Sequence, residues 1–219
     1  MADVSGGPAR RGRYHHGDLA ASLVDAGLAQ LAETGVTGFS VAEIARRIGV
    51  STAAPYRHFA DRDRLLAAVV TRAADELGAG IARAVGRAGP AASDRLVAAA
   101  GAYTEVVRAR RVGFDVIFAP ALRALRDEDL ARAGRAVMEQ LIDPATELAG
   151  TDGALRLVEQ VVVLAHGYAT LDADGFLAAD RVTAETTGER TRRAAAALID
   201  GVLLDGDGGR GDVPAPGSA

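Results

Sequence analysis

The stretch SVAEIARRIGVS at 40 to 51 leaves this chain little choice of local structure. Ser40 and Glu43 stand in the S-x-x-E spacing of a capping box, in which the hydroxyl and the carboxylate satisfy free N–H groups at a helix start. Val41, Ile44, Ala45 and Ile48 recur at i, i+3, i+4, i+7 and make one apolar stripe, with Glu43, Arg46 and Arg47 off it. Gly49 follows the last periodic residue, where glycine tolerates the left-handed backbone of a helix stop. Ser51 can then cap a second helix running to about Phe59, and Pro55 falls within or just beyond its first turn, where few N–H bonds are lost. A third helix is entered through Asp61. This is helix-turn-helix spacing, although any small helical hairpin would share it.

The remainder reads as helix almost throughout. Leu19, Leu23, Val24, Leu28 and Leu31 form one amphipathic face, and Leu65, Leu66, Val69, Val70 and Leu77 form another. GRAGPAASD at 86 to 94 interrupts the pattern and offers Ser93 as a fresh N-cap. Further helices are expected at about 94 to 111, 113 to 119, 127 to 148, 153 to 174 and 189 to 204, divided by Gly or Pro. No strand-like alternation and no internal repeat is visible, so the expected class is all-α. Residues 1 to 13 and 205 to 219 are rich in Gly, Pro and polar residues and are expected to be disordered tails. Between them the chain divides into a helix-turn-helix domain over 14 to 78 and a helical C-terminal domain over 79 to 204.

Composition narrows the setting. There is no Cys, hence no disulfide framework and no thiolate metal site, and nothing ties the chain to an oxidising compartment. No apolar run approaches the roughly 20 residues that span a bilayer, and the N-terminus lacks a signal-peptide core, so no membrane partner is expected and the cytoplasm is the default. The formal net charge is −4, unusual for a nucleic-acid binder. Residues 1 to 72 nonetheless carry nine arginines against seven acids, so the basic excess lies at the helix-turn-helix end. An excess that small is equally an ordinary solvated surface.

From Arg13 to about Val70 the chain resembles the DNA-binding domain of the TetR family of bacterial transcriptional regulators. The matching residues are YHHGDL at 14 to 19, the helix to Gly35, FSVAEIARRIGVS, PYRHF at 55 to 59 and DRDRLL at 61 to 66. They cover about a quarter of the chain, and the rest is only weakly similar to the family's diverse all-helical C-terminal domains. The resemblance implies a double-stranded DNA operator as partner. The N-terminal residues of a recognition helix meet base edges, which makes Thr52, Ala53 and Pro55 candidates, with methyl and ring surfaces suited to thymine methyl groups, and Ser51 beside them is a further DNA-binding candidate. Tyr56, His58 and Arg62 match positions that touch phosphate in the family, where Lys is usual in place of Arg62. Arg46 and Arg57 are further basic candidates. Ser40 and the helix N-terminus behind it offer another phosphate site. Arg10, Arg11 and Arg13 form either a minor-groove arm or a solubilising tail.

The C-terminal half is less explicit. Tyr103, Phe114, Ile117, Phe118, Met138, Leu141, His166 and Tyr168 have the chemistry of an apolar small-molecule pocket with few polar handles, and core packing explains them equally well. A buried His166 needs a hydrogen-bond partner, a neighbouring carbonyl being the plain choice. AHGYATLDADGF at 165 to 176 is similar to the tryptophan-histidine-glycine signature of one TetR subgroup, with Ala165 in place of Trp.

No cofactor motif, nucleophile elbow, phosphate loop or paired carboxylate stands out, so neither an enzyme nor a cofactor is expected. His15 and His16 are adjacent, point about 100° apart on a helix and have no third ligand nearby, so no metal is expected either. The resulting reading is a repressor that leaves its operator when a small-molecule effector binds the C-terminal domain, with an activator or an effector-independent DNA binder as the alternative. Val158, Val161, Val162, Leu164 and Ala165, with Ala194, Ala195, Ala197, Leu198, Val202 and Leu203, are expected to join a homodimer through the two C-terminal helices.

Overall fold

The computed structural model describes residues 19–177 and 185–208. Arg10, Arg11, Arg13, His15, His16 and the tail from 209 onward lie outside the described residues. Among those described there are helices and no strands. They are α1 (Leu19–Thr34), α2 (Val41–Arg47), a single 3-10 turn (Pro55–Arg57), α3 (Arg62–Val85), α4 (Ala92–Arg110), α5 (Phe114–Ile117), α6 (Pro120–Arg123), α7 (Glu128–Ala173) and α8 (Thr187–Gly208).

The head is α1, α2, the 3-10 turn and the first half of α3. Its core is the apolar face read from the sequence: Leu23, Leu28 and Leu31 of α1, Val41 and Ile44 of α2, and Leu65, Leu66, Val69 and Val70 of α3, all buried, closed over by Phe39. α1 and α3 approach closely because residue 27 is glycine. A methyl group there would stand 2.6 Å from Cγ2 of Val69. α2 ends as Gly49 predicts. Its φ is +74°, its N–H reaches the Arg46 carbonyl, and Val50 N–H reaches back to the Ala45 carbonyl, the paired bonds of a Schellman stop.

α3 does not stop where the head stops. It continues without a break to Val85, and its second half is buried in the body: Gly80 faces Val106 of α4, where an added methyl would come within 2.7 Å, and Leu77 and Ile81 are fully covered. The boundary expected at residue 78 therefore falls inside one helix that both parts share. The body packs α4 against α7 and α8. Thr104 of α4 is its buried polar staple, donating to the Ala165 carbonyl of α7 and meeting the Thr191 hydroxyl of α8, each at 3.0 Å.

Several sequence expectations are corrected. Ser93 is not a cap: α4 already starts at Ala92, after extended Ala91, and no side chain closes its end. The expected helix at 113 to 119 is the single short turn α5, which ends at Ile117; a second turn, α6, starts only at Pro120, because Ala119, the residue before the proline, avoids helical backbone. The helices expected at 127 to 148 and 153 to 174 are two arms of α7, meeting at Gly150 with φ +67° and ψ 174°. α8 begins two residues earlier than expected and runs to Gly208, so the tail starts later than residue 205. Finally, Val158, Val161, Ala165 and Ala195 are buried within their own protomer and are not free for a partner. The apolar side chains that α7 and α8 leave outside are Leu155, Val163 (66% exposed), Leu171, Leu203 and Leu204 (76% exposed).

Candidate nucleic-acid interface and ligand cleft

Ser40 is the N-cap of α2, with extended backbone and its hydroxyl accepting from Glu43 N–H at 3.4 Å. The capping box is only half made. Ser40 N–H donates to Gln30 Oε1 at 2.8 Å, because the Glu43 carboxylate is taken by Arg46 Nε and Nη2 and by Arg47 Nε. Those guanidiniums hold the Glu43 carboxyl well below the usual range, at about 2, Arg46 contributing more than Arg47. Arg47 also pairs with Glu33 of α1, whose carboxyl is lowered in the same way. Arg46, a candidate for DNA, is thus bound to Glu43, although its side chain stays largely exposed.

Gln30 was not among the sequence candidates. It is 1% exposed on the buried face of α1 and ties the start of α2 to that helix. The available signal was a polar residue seven positions after Leu23, in phase with the apolar face, where only a partnered amide can be buried.

Past Gly49 the recognition segment is a chain of tight turns, not the capped helix expected from Ser51. Ala54 N–H bonds to the Ser51 carbonyl, Arg57 to Ala54, and His58 to Pro55. Pro55 causes this, since it has no N–H to give Ser51 and so removes the first i to i−4 rung. Its ring is buried under the head, which withdraws it from the residues that can meet bases. Ser51, Thr52, Ala53, Tyr56, Arg57 and His58 are exposed together on one edge, Tyr56 to 54%. Arg57 makes no ion pair among the described residues. Arg62, expected at phosphate, makes its contacts within the head in this structure. Its Nη2 donates to the Val36 carbonyl at 2.7 Å and its Nε to the Phe39 carbonyl at 3.1 Å, its Nη1 meets Asp63, and its guanidinium lies 5.6 Å from the Phe39 ring centre. It clasps the loop between α1 and α2, and phosphate finds most of its donors occupied.

In the body the eight pocket candidates separate. Tyr103 is buried, its hydroxyl accepting from Phe114 N–H at 3.1 Å and meeting His166 Nδ1 at 3.0 Å. Burial raises its phenol pKa well above the ordinary value. Phe114 packs edge-on to Tyr103, and Phe118 edge-on to Phe114. The partner of His166 is therefore a phenol and not a carbonyl. With the phenol donating to Nδ1, the ring's Nε2–H faces Asp115, 4.0 Å away. Leu141 is core, and Tyr168 lies beneath the Arg190 guanidinium. Only Ile117, Phe118 and Met138 border the apolar cleft, about 320 Å³, between the α5–α6 turns and the first arm of α7. His166 borders a different hollow, about 240 Å³, between the body and the end of α1 near Leu31 and Gly35.

Among the described residues no three His, Asp or Glu side chains gather as a metal site requires, and no helix is long and apolar enough to cross a membrane.

With this geometry in view, comparison with known proteins gives a consistent answer. Residues 23–69 match the model of bacterial regulatory proteins of the tetR family, and residues 96–199 match that of the tetracyclin repressor-like C-terminal domain. A solved protein of unknown function from Rhodococcus sp. RHA1 is 31% identical over 87% of this chain and 98% of its own, with a TM-score of 0.67. A putative TetR-family transcriptional regulator from Rhodococcus sp. is 23% identical over 84% of this chain and 97% of its own, TM-score 0.59. Another regulator, from Rhodococcus sp. Rha1, is 24% identical over 85% and 97%, also at 0.59. These last two share the fold. No curated protein matches.

Proposed function

The chain belongs to the TetR family of DNA-binding transcriptional regulators, and we propose that it is a dimeric repressor released from its operator by a small molecule held in the body. The observation that carries the DNA side is the exposed edge Ser51–His58: a hydroxyl and methyl at Thr52, an unpaired cation at Arg57 and the ring of Tyr56 project from a segment fixed by its own backbone bonds and by buried Pro55. Thr52 and Ala53 face bases in this reading, and Tyr56, Arg57 and His58 face phosphates. Arg46 is a phosphate residue only where DNA draws it from Glu43.

One such edge covers few base pairs, and two must span successive major grooves about 34 Å apart. Leu155, Val163 and Leu171 of α7, with Leu204 of α8, supply the apolar surface for a two-fold contact between bodies. α3, shared by head and body, is the element through which a change in the body would alter head spacing.

The test is selection of genomic DNA fragments by the purified protein, followed by footprinting. A palindromic site with two protected half-sites about one helical turn apart is expected, and enrichment of no sequence over bulk DNA would overturn the reading. A reporter placed behind that site decides the direction of control: repression is expected with the protein present, whereas higher output would make it an activator.

A further inference from the structure

We infer that the cleft over the first arm of α7 takes an amphipathic anion, a single apolar chain ending in an acid group. This rests on the proposed effector-responsive reading and gives that effector a chemical class.

The floor is apolar, made by Ile117, Phe118, Leu122, Leu130 and Met138. Its volume, about 320 Å³, lies at the small end of the range for small-molecule sites, which fits one chain better than a fused-ring drug. Gly134 keeps the floor open. A methyl group there would come within 3.3 Å of the Phe118 ring.

The rim is the unusual part. Arg123, Arg126 and Arg135 all border the cleft, and none makes an ion pair among the described residues. Most other arginines near the body's surface are paired: Arg95 with Glu147, Arg110 with Glu76, and Arg132, on α7 itself, with Asp129. Arg126 is moreover held at φ +50°, a left-handed backbone that disfavours a side chain and that cleft-lining residues adopt when the surrounding structure requires it. Asp127 borders the same cleft, but its charge is already answered by Arg64 of α3, at 2.9 Å, and its other oxygen caps α7. The cleft thus offers three uncommitted guanidiniums above an apolar floor, and a carboxylate with a hydrocarbon tail satisfies both halves at once.

The Arg64–Asp127 pair also gives the ligand a way to reach the head. An acid group among Arg123, Arg126 and Arg135 places a like charge beside Asp127 and competes for Arg64, which lies two residues after the Arg62 clasp on the same helix.

The experiment titrates the full-length protein with decanoate, kept well below its micellar concentration, and in parallel with decanol and acetate, reading heat on mixing and melting temperature. Decanoate is expected to bind, with decanol and acetate each at least about tenfold weaker. Arg126→Gln and Arg135→Gln should each weaken decanoate about tenfold and leave decanol unchanged. Ala131→Trp, at an exposed rim position, should block both chains. Equal binding of decanoate and decanol, or insensitivity to both arginine substitutions, overturns the anion assignment while leaving an effector of another class open. Decanoate that binds through these arginines but never releases the selected DNA fragment keeps the site and refutes the release reading. In Arg64→Gln, decanoate should still bind while release is lost, and release that persists refutes the proposed route.

Discussion

In the head, short helices are tied by polar contacts that cross from one to another: Gln30 to Ser40, Arg47 to Glu33, Arg62 to the carbonyls of Val36 and Phe39. In the body, helices of 19 residues and more close on apolar faces, and the fully buried polar contacts between helices among described residues are those of Thr104, to the Ala165 carbonyl and the Thr191 hydroxyl. The difference follows from length. A seven-residue α2 buries three side chains, too few to fix its position by area alone, so directional bonds settle where it sits. The long helices of the body are fixed by the volume they fill. The head is thereby a small unit whose exposed Ser51–His58 edge depends on a few named bonds, and the body is a scaffold that leaves an arginine-rimmed cleft and an apolar outer face uncovered.

The widest separation between the two should come from the outer face of the body. Val163→Asp combined with Leu204→Asp leaves both protomer core and head untouched, so light scattering should give a mass near 22.4 kDa in place of twice that value. Affinity for the palindromic site should fall by about a hundredfold or more, since the second head loses its tether. A double variant that stays dimeric and binds normally would place the dimer contact elsewhere.

Next in size is Arg62→Ala, which removes two charge-assisted bonds to loop carbonyls and should cost about 2 to 3 kcal/mol of stability. Amide exchange should quicken in α1 and α2 and not in α4. If the variant melts normally and only loses the salt dependence of DNA binding, the clasp is secondary and Arg62 is the phosphate contact its sequence position suggests.

Thr52→Ala should change neither melting nor nonspecific binding. It should relax discrimination at one base pair of each half-site by about 1 to 3 kcal/mol, measured with single-substituted operators. An even loss across all sequences would move Thr52 from the bases to the backbone.

The smallest effect is electrostatic. The Glu43 carboxyl is depressed from an ordinary 4.5 to about 2, so its contribution is fully present above about pH 4.5 and is lost as pH falls toward 2. The Glu43 side chain is half-buried at the surface, where solvent still screens it, so the change should be slight. Glu43→Gln should flatten the acid limb of the head's melting curve over that window, and identical limbs would show that solvent screens the network completely.

The chain by itself determined most of the head. The period of 3.6 marked Leu23, Leu28, Leu31, Ile44, Leu65 and Val69 as core, and Gly49 marked the stop of α2, because helix periodicity and the left-handed stop are local properties. The sequence also located the breaks between body helices, within a few residues of Gly150 and Pro90. The all-helical class follows from the same signal.

Tertiary structure decided which partner each polar side chain takes. Glu43 was free, on spacing alone, to complete the capping box, and it lost that role because two arginines one turn on outcompeted a single N–H, leaving Gln30 to fill it. Arg62 carries the same cation wherever it sits, and only the fold brings the carbonyls of residues 36 and 39 beneath it. The pocket candidates divided for a similar reason: aromatic residues at helical spacing are equally core or lining until neighbouring helices fill one side. The three arginines of the cleft lie in separate turns of chain, and the bends at α6 and Asp127 are what bring them to one rim. Periodicity fixes which face of a helix is buried; which groups meet across helices depends on separations of tens of residues that no local pattern encodes.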